Sequence, residues 1–493
     1  MLTEAEIKQF IDEDALSDKK RFAQIGERYY NGEHDILKYR LFYYNGDGVL
    51  VEDTTRANNR ICHPFFTELV DQLASYMLSF EGNPIRAKDT ADGLQEHLDV
   101  YFDDDFWAEM QELIVGTNSK GFEYMYAFKN EDDRLAFECA DSLGVVEVLA
   151  KYASDGQDHV LYSYVDRIEK GKKVIKRIQD HTKDEIQFYV QEDNGDIQLD
   201  PDALLNPRPN VVWTDPKTGV QYGKGLGFIP FWRLDNNKKQ FSGLKPIKAL
   251  IDDYDLMECG LSNNLEDFDT PIHVVKGYPG DDLTELQQNI KTKKIIGTDA
   301  GGDIDIKTIN VPYEARKTKA DEDEKNIYRF GMGFNSSQVG DGNITNIVIK
   351  SRYTLLDLKA GKLGMRVKRF LKPIIKVVLE EINAANGTDY QPSDVKVELE
   401  YIVPTNQQEN AQIALTEAQT EQVRINTILN VAMAIGDEEA LKAICDILDL
   451  DFDDLKDRMA QSPVAELGTA QMALEGVVTD EPAAEIGTEA IPE

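Results

Sequence analysis

The chain opens in a helical rhythm. Ile7, Phe10, Ile11 and Leu16, followed by Phe22, Ile25 and Tyr29, are apolar at spacings of three and four, which predicts helix across residues 1–40. Two turn signals interrupt the pattern, "YYNGEHDI" from Tyr29 and "YYNGDGVL" from Tyr43. The NGDG that follows Tyr44 has the beginnings of a calcium loop. It lacks the remaining carboxylates and the closing Glu, so it reads as a plain turn. Pro64 opens a further helix, with Phe65, Phe66, Leu69, Val70, Leu73, Met77 and Phe80 on one apolar face and Gly82-Asn83-Pro84 as its stop. Two more helices fit residues 92–102 and 106–115.

From Gly121 to Val190 the period changes to two. "FEYMYAF", "HVLYSYVDRIE", "KKVIKRIQD" and "EIQFYVQED" alternate, are rich in β-branched and aromatic residues, and are separated by turn signals, which predicts antiparallel sheet. The proline-marked stretch "LDPDALLNPRPNVVWTDPKTG" reads as an irregular loop. Helical spacing returns at Leu244, Ile247, Leu250, Ile251, Tyr254, Met257, Leu261 and Leu265. The other side of that helix is acidic: Asp252, Asp253, Asp255, Glu258, Glu266 and Asp267. Residues 270–312 read as strand, helix, strand, strand, and a helix follows from Tyr313 to Met332. A glycine loop leads into one very long helical pattern. Val395–Val403 reads as a strand, and residues 405–461 as helix.

The long helix carries the positive charge of its neighbourhood. Lys359, Lys362, Arg366, Arg369, Lys372 and Lys376 share one sector at about 100° per residue, and Leu356, Leu363, Val367, Phe370, Ile374 and Val378 fill the sector beside it. One stripe is therefore expected to be buried and a basic one displayed. Gly361, Gly364 and Pro373 predict a bend. Two destinations for the basic stripe are open, DNA phosphates or acidic faces of neighbouring helices and subunits. The second is preferred because the chain has 90 acidic residues against 54 basic ones, 54 − 90 = −36. That balance argues against a general nucleic-acid binder, though not against a protein that surrounds DNA without gripping it. From Thr405 onward Arg424, Lys442, Lys456 and Arg458 face 19 acids, and the segment after Ser462 is too poor in large apolar residues to offset its ordering entropy, so it is expected to be disordered.

Chemistry is sparse. Cys62, Cys139, Cys259 and Cys445 form no CxxC and read as reduced thiols. GxxxxGK[ST], HExxH and GxSxG are absent, and GKGLGF and GMGF do not follow a buried parallel strand. His63, before a helix-opening proline, reads as packed or hydrogen-bonded. The carboxylate runs at 103–105, 321–324 and 451–457 are contiguous, so they do not converge as a two-metal site would need, and they read as solvated faces. Catalytic residues, cofactors and metals are therefore not expected. Nor is a membrane span or a signal core, which places the chain in a cytoplasm.

The order of parts resembles the portal proteins of tailed bacteriophages, in particular those of long-tailed phages of Gram-positive bacteria. "YYNGEHDI", "NNRICHPFFTELVDQLASYMLSFEGNPI", "FIPFWRLDNNKKQFSGLKPIKALIDDYDLMECGLSNNLEDF" and "NITNIVIKSRYTLLDLKA" carry the resemblance. It implies an α+β portal-type fold: a β-rich antiparallel wing at 1–240, stem helices at 241–269 and 313–337, and a small α/β clip at 270–312. A tunnel loop would lie at 338–346, the long bent helix and a wing strand at 347–404, a helical crown at 405–465, and an acidic tail at 466–493. Gly340, Asp341, Gly342, Asn343, Ile344, Thr345 and Asn346 fall where the family has its tunnel loop. The resemblance also implies a homo-oligomeric ring, dodecameric in the virion, at the capsid portal vertex. Double-stranded DNA would pass through it, and terminase, a head-completion or adaptor protein, and the major capsid and scaffolding proteins would be its partners. The competing readings are a metal-dependent nucleic-acid-processing enzyme and another head–tail connector ring.

Overall fold

The computed structural model describes residues 2–448 except 55, 131, 152–155, 169–172, 215–220, 269–271, 277–300, 302, 308–312, 336–345 and 404–406, together with residue 452. It forms two compact units, Met1–Pro404 and Thr405–Glu493.

In the first unit α1 (Glu4–Ala15) begins with a reciprocal cap: Glu6 N–H donates to Thr3 Oγ1 and Thr3 N–H to Glu6 Oε2. After α2 (Asp18–Tyr30) a two-stranded hairpin, β1 (Phe42–Tyr44) and β2 (Leu50–Glu52), is closed by the NGDG turn, where Asn45 Oδ1 accepts from the amides of Asp47 and Val49. Pro64 caps α3 (Phe65–Met77). Phe80 lies beyond the end of that helix and packs edge-on to Trp107 instead of extending its face. β3 (Ile85–Ala87), α4 (Leu94–Tyr101) and α5 (Asp104–Lys120) follow. α5 is N-capped by Asp103, which accepts from Phe106 N–H at 3.0 Å.

The period-two region forms β4 (Phe122–Lys129) and β5 (Leu135–Ala140), joined by β14 (Phe231–Asp235) in the order β14-β4-β5. A larger antiparallel sheet takes β6 (Val145–Leu149), β7 (Gln157–Ile168), β8 (Val174–His181), β9 (Glu185–Glu192) and β10 (Ile197–Leu199) in sequence order. The stretch expected to be irregular contains strands. β11 (Arg208–Pro209) pairs with β9, and β12 (Val211–Thr214) pairs with β13 (Gln221–Lys224). The Val-Val-Trp run supplies β propensity that the flanking prolines hid.

Three long helices complete the unit. α6 spans Lys248–Phe268, about 32 Å at 1.5 Å per residue. Strands β15 (Ile272–Lys276) and β16 (Asp303–Lys307) pair antiparallel between it and α7 (Tyr313–Gly331). α8 (Asn346–Asn386) runs unbroken through Gly361, Gly364 and Pro373. Its apolar stripe is buried against α3, α4 and α5: Leu356, Leu363, Val367, Phe370, Ile374 and Val378 all lie in one core, each contributing about 2 kcal/mol. Gly364 is buried, and a side chain there would collide with the Tyr401 hydroxyl. The predicted strand at 395–403 is short: only β17 (Val395–Val397) pairs, with β3.

The second unit contains α9 (Gln407–Ile435) and α10 (Asp437–Leu448), separated by Gly436 at φ 97°. The tail at 466–493 lies outside the described residues.

Candidate channel and assembly elements

α6 and α7 lie side by side. Ile247, Ile251, Ile327 and Tyr328 share a core with Tyr29, Phe66, Leu69 and Val70. Toward the end of α6 the apolar face thins, and Leu256 and Leu265 are exposed. Lys319 of α7 bridges Asp253 of α6 at 2.6 Å and also pairs with Asp323, which is buried.

Asp255, one of the carboxylates on the acidic side of α6, is wholly buried. Its Oδ2 accepts from His34 Nδ1 at 2.6 Å, and its Oδ1 accepts from both the backbone and Nδ1 of His63, at 2.9 and 2.8 Å. Burial pushes this carboxyl up, and the hydrogen bonds from His34 and His63 more than offset it, so it stays below the usual carboxylate range. His63 is thus hydrogen-bonded, as its place before Pro64 suggested. Tyr29 stacks on His34 at 4.4 Å between ring centroids, fixing the turn that follows α2 against α6.

The contact continues as a ladder. The amides of His63, Ile61, Asn59 and Ala57 donate in turn to Asp255 Oδ1, Cys259 Sγ, Asn263 Oδ1 and Asp267 Oδ1. Every second residue of the segment meets every fourth residue of the helix. Asn59 Nδ2 adds a bond to Glu266 at 2.7 Å, and Lys248 holds Asp35 and Asp252, each at 2.7 Å. Most carboxylates of α6 are therefore already engaged within the chain.

The basic sector of α8 is a different case. Lys362, Arg369, Lys372 and Lys376 are exposed and Arg366 is half-buried. Among the described residues only Lys376 finds a carboxylate, Glu380 at 3.7 Å. Lys359 leaves the stripe: it is half-buried, and its Nζ donates to Gly331 O at the C-terminus of α7 at 3.0 Å. Burial pushes its pKa down to about 8. The helix-wheel sector holds for the Cα position, but the long side chain turns toward the free carbonyl of α7, a favourable place for a cation.

Of the predicted tunnel loop, Gly340, Asp341, Gly342, Asn343, Ile344 and Thr345 lie outside the described residues, and Asn346 is the first residue of α8. Of the predicted clip, β15, β16 and Gly301 are described and the rest lies outside. Among the described residues no group of three or more His, Cys, Asp and Glu is placed to hold a metal ion, and no helix is long and apolar enough to cross a membrane. The first two carboxylate runs do not converge: Asp103 is a helix cap, while Asp323 is buried against Lys319.

Two long helices flank a small strand insertion and are followed by one very long helix. Residues 9–448 match the family described as phage portal protein, SPP1 Gp6-like, and the chain belongs to that family. It is similar to the portal protein of Bacillus phage SPP1, 26% identical over 371 residues, which cover 74% of this chain and 71% of that protein. It is likewise 26% identical to the portal protein of Clostridium phage phiCD119 over 433 residues, covering 83% and 88%. Both relatives come from phages of Gram-positive hosts. A solved structure titled "Neck of empty GTA particle computed with C6 symmetry" resembles it at 15% identity with a TM-score of 0.39, over 74% of this chain and 86% of that one.

Proposed function

We propose that copies of this chain close into a dodecameric ring at one capsid vertex, a non-enzymatic conduit through which double-stranded DNA enters during packaging and leaves on ejection. Terminase would dock on it first and a head-completion protein afterwards, and the major capsid and scaffolding proteins would surround it in the virion. Membership of the portal family carries the reading. The order of elements supports the finer division: wing at 1–240 and 347–404, stem helices α6 and α7, clip at 270–312 around the β15–β16 pair, tunnel loop at 338–346 and crown at 405–465.

The exposed part of the basic stripe joins an acidic surface of the neighbouring copy. The carboxylates of α6 are poor candidates because they already have partners. Asp321 and Glu322, exposed on α7, are better ones. The net charge of −36 suits a conduit, since a repulsive wall lets phosphates slide where a gripping one would hold them.

Electron microscopy and light scattering of the purified full chain test the ring; a chain that stays monomeric at low salt and high concentration overturns it. For the loop, replacing Gly340 and Gly342 with proline should leave ring assembly near normal and reduce nuclease-protected DNA per procapsid. Equal packaging by the double variant would make the loop a passive linker. A chelator-sensitive nuclease activity of the wild type would instead favour a metal-dependent enzyme.

A further inference from the structure

The hairpin β1–β2 is the most conspicuous unpartnered surface among the described residues. Its cross-strand pairs are Phe42 with Glu52, Tyr43 with Val51 and Tyr44 with Leu50. Phe42, Tyr44 and Leu50 lie on one face and Tyr43 and Val51 on the other, and all five are exposed, Tyr44 at 73% and Leu50 at 54%. A two-stranded hairpin with water on both faces is marginal by itself, and clustered apolar exposure of this kind marks an interaction surface. Yet its base is held firmly: residues 57–63, directly after it, are bonded rung by rung to α6. The hairpin is presented on a fixed mount beside the far end of that helix.

The same unit has an open groove of about 870 Å³ between α3 and α8. Phe65, Tyr76, Phe334, Tyr353, Leu356 and Ile402 make it apolar, and Glu68 and Asp71 make it acidic along one side. The groove begins at His63, the rung on Asp255, while the hairpin begins beyond the rung on Asp267. Twelve helical residues separate those rungs, about 18 Å, so the chain does not fill its own groove with its own hairpin.

We propose that hairpin β1–β2 is an assembly arm that seats its apolar side chains in the α3–α8 groove of a second copy of this chain. The inference rests on the ring reading above and specifies one of its contacts. Knob and groove are different patches of one surface, so their pairing is heterologous. Such a contact propagates from copy to copy and closes as a ring where its rotation closes, whereas hairpin-to-hairpin pairing would stop at a dimer and leave the groove open. Charge agrees: Lys38, exposed at the hairpin base without an ion pair among the described residues, would approach the Glu68–Asp71 side of the groove.

The test uses the full chain. Tyr44→Asp with Leu50→Lys changes only exposed side chains and keeps an opposite-charge pair across the hairpin, so the variant should keep the wild-type circular dichroism and melting temperature and lose at least tenfold in association by light scattering. In a second arm, Tyr44→Cys chains mixed with Ser75→Cys chains should give disulfide-linked dimers on mild oxidation, and neither variant alone should. The double-cysteine chain should give a ladder of linked multimers. If the charged-pair variant assembles like the wild type, or if the ring forms and the double-cysteine chain links only within itself, the arm is wrong and the ring stands. If the wild type itself never assembles, the ring reading falls and takes the arm with it.

Discussion

Asp255 Oδ2 and His34 Nδ1 are 2.6 Å apart, and both side chains are completely buried. The carboxylate of α6 thereby ties down the turn after α2 and, through His63, the entry to α3. Removing one partner of a buried charged network leaves the others unpaired, so Asp255→Ala should cost about 3 kcal/mol in urea unfolding. The pH dependence has a definite sign. The folded carboxyl lies below its ordinary range, so its contribution is complete above about pH 4 and is lost as pH falls through the folded value. The wild type should therefore shed more stability on acidification below about pH 4 than Asp255→Ala does.

The ladder along α6 predicts a local effect. Asn263→Ala removes the acceptor of the Asn59 amide, a bond of 2.6 Å. Hydrogen exchange at residues 57–61 should quicken about tenfold, corresponding to about 1.4 kcal/mol, while amides in the core shared by α3 and α8 keep their protection. Unchanged exchange at Asn59 would mean that the segment is held by something other than the ladder.

Lys359 carries a burial cost that Lys359→Met would relieve. Its pKa is lowered to about 8 by burial, so below that pH the folded chain holds a charge the unfolded chain would accommodate better. Stability from this residue should rise as pH increases from about 8 to about 10.5. The variant should gain about 1 kcal/mol at pH 7, with the gain shrinking through that window, after allowing for partial solvent access and the lost bond to Gly331 O. A loss at pH 7 would show that capping α7 outweighs burial.

Two glycines of α8 should respond in opposite directions. Nothing lies within 4 Å of a side chain added at Gly361, so Gly361→Ala should stabilise by about 0.5–1 kcal/mol through helix propensity. At Gly364 the added carbon meets Tyr401, whose ring packs on Tyr76 at 5.4 Å, and Gly364→Ala should cost about 1 kcal/mol. Paired thermal melts of the two variants check both signs.

Local periodicity makes much of the fold legible along the chain. The apolar stripe of α8, the helices α6 and α7 and the strands β4, β7, β8 and β9 announce themselves by spacing, because each turns apolar side chains toward one side. The features that spacing does not encode depend on partners far off in sequence. Nothing near Asp255 distinguishes it from Asp252 or Asp253; its burial follows from His34 and His63, about 200 residues away. Lys359 likewise fits a basic sector until Gly331 O offers an acceptor. Gly364 reads as a weak point of the helix because Tyr401, which needs the space, lies on a later segment. The ladder leaves no trace in the sequence because residues 57–63 have no periodicity of their own and borrow their order from α6.

That ladder joins two backbones of different pitch. Two extended residues advance about 6.6 Å while four helical residues advance about 6.0 Å. The two rulers therefore slip by about 0.6 Å at each rung, close to 2 Å between the rung at Asp255 and the rung at Asp267. The four bonds nonetheless stay between 2.6 and 3.2 Å, because their acceptors are side-chain atoms that can take up the slip. The hairpin precedes the rung on Asp267 in the chain. The aim of the hairpin is thus tied to the register of these rungs, and an insertion of even one residue between Ala57 and His63 would shift that register and re-aim everything mounted on it.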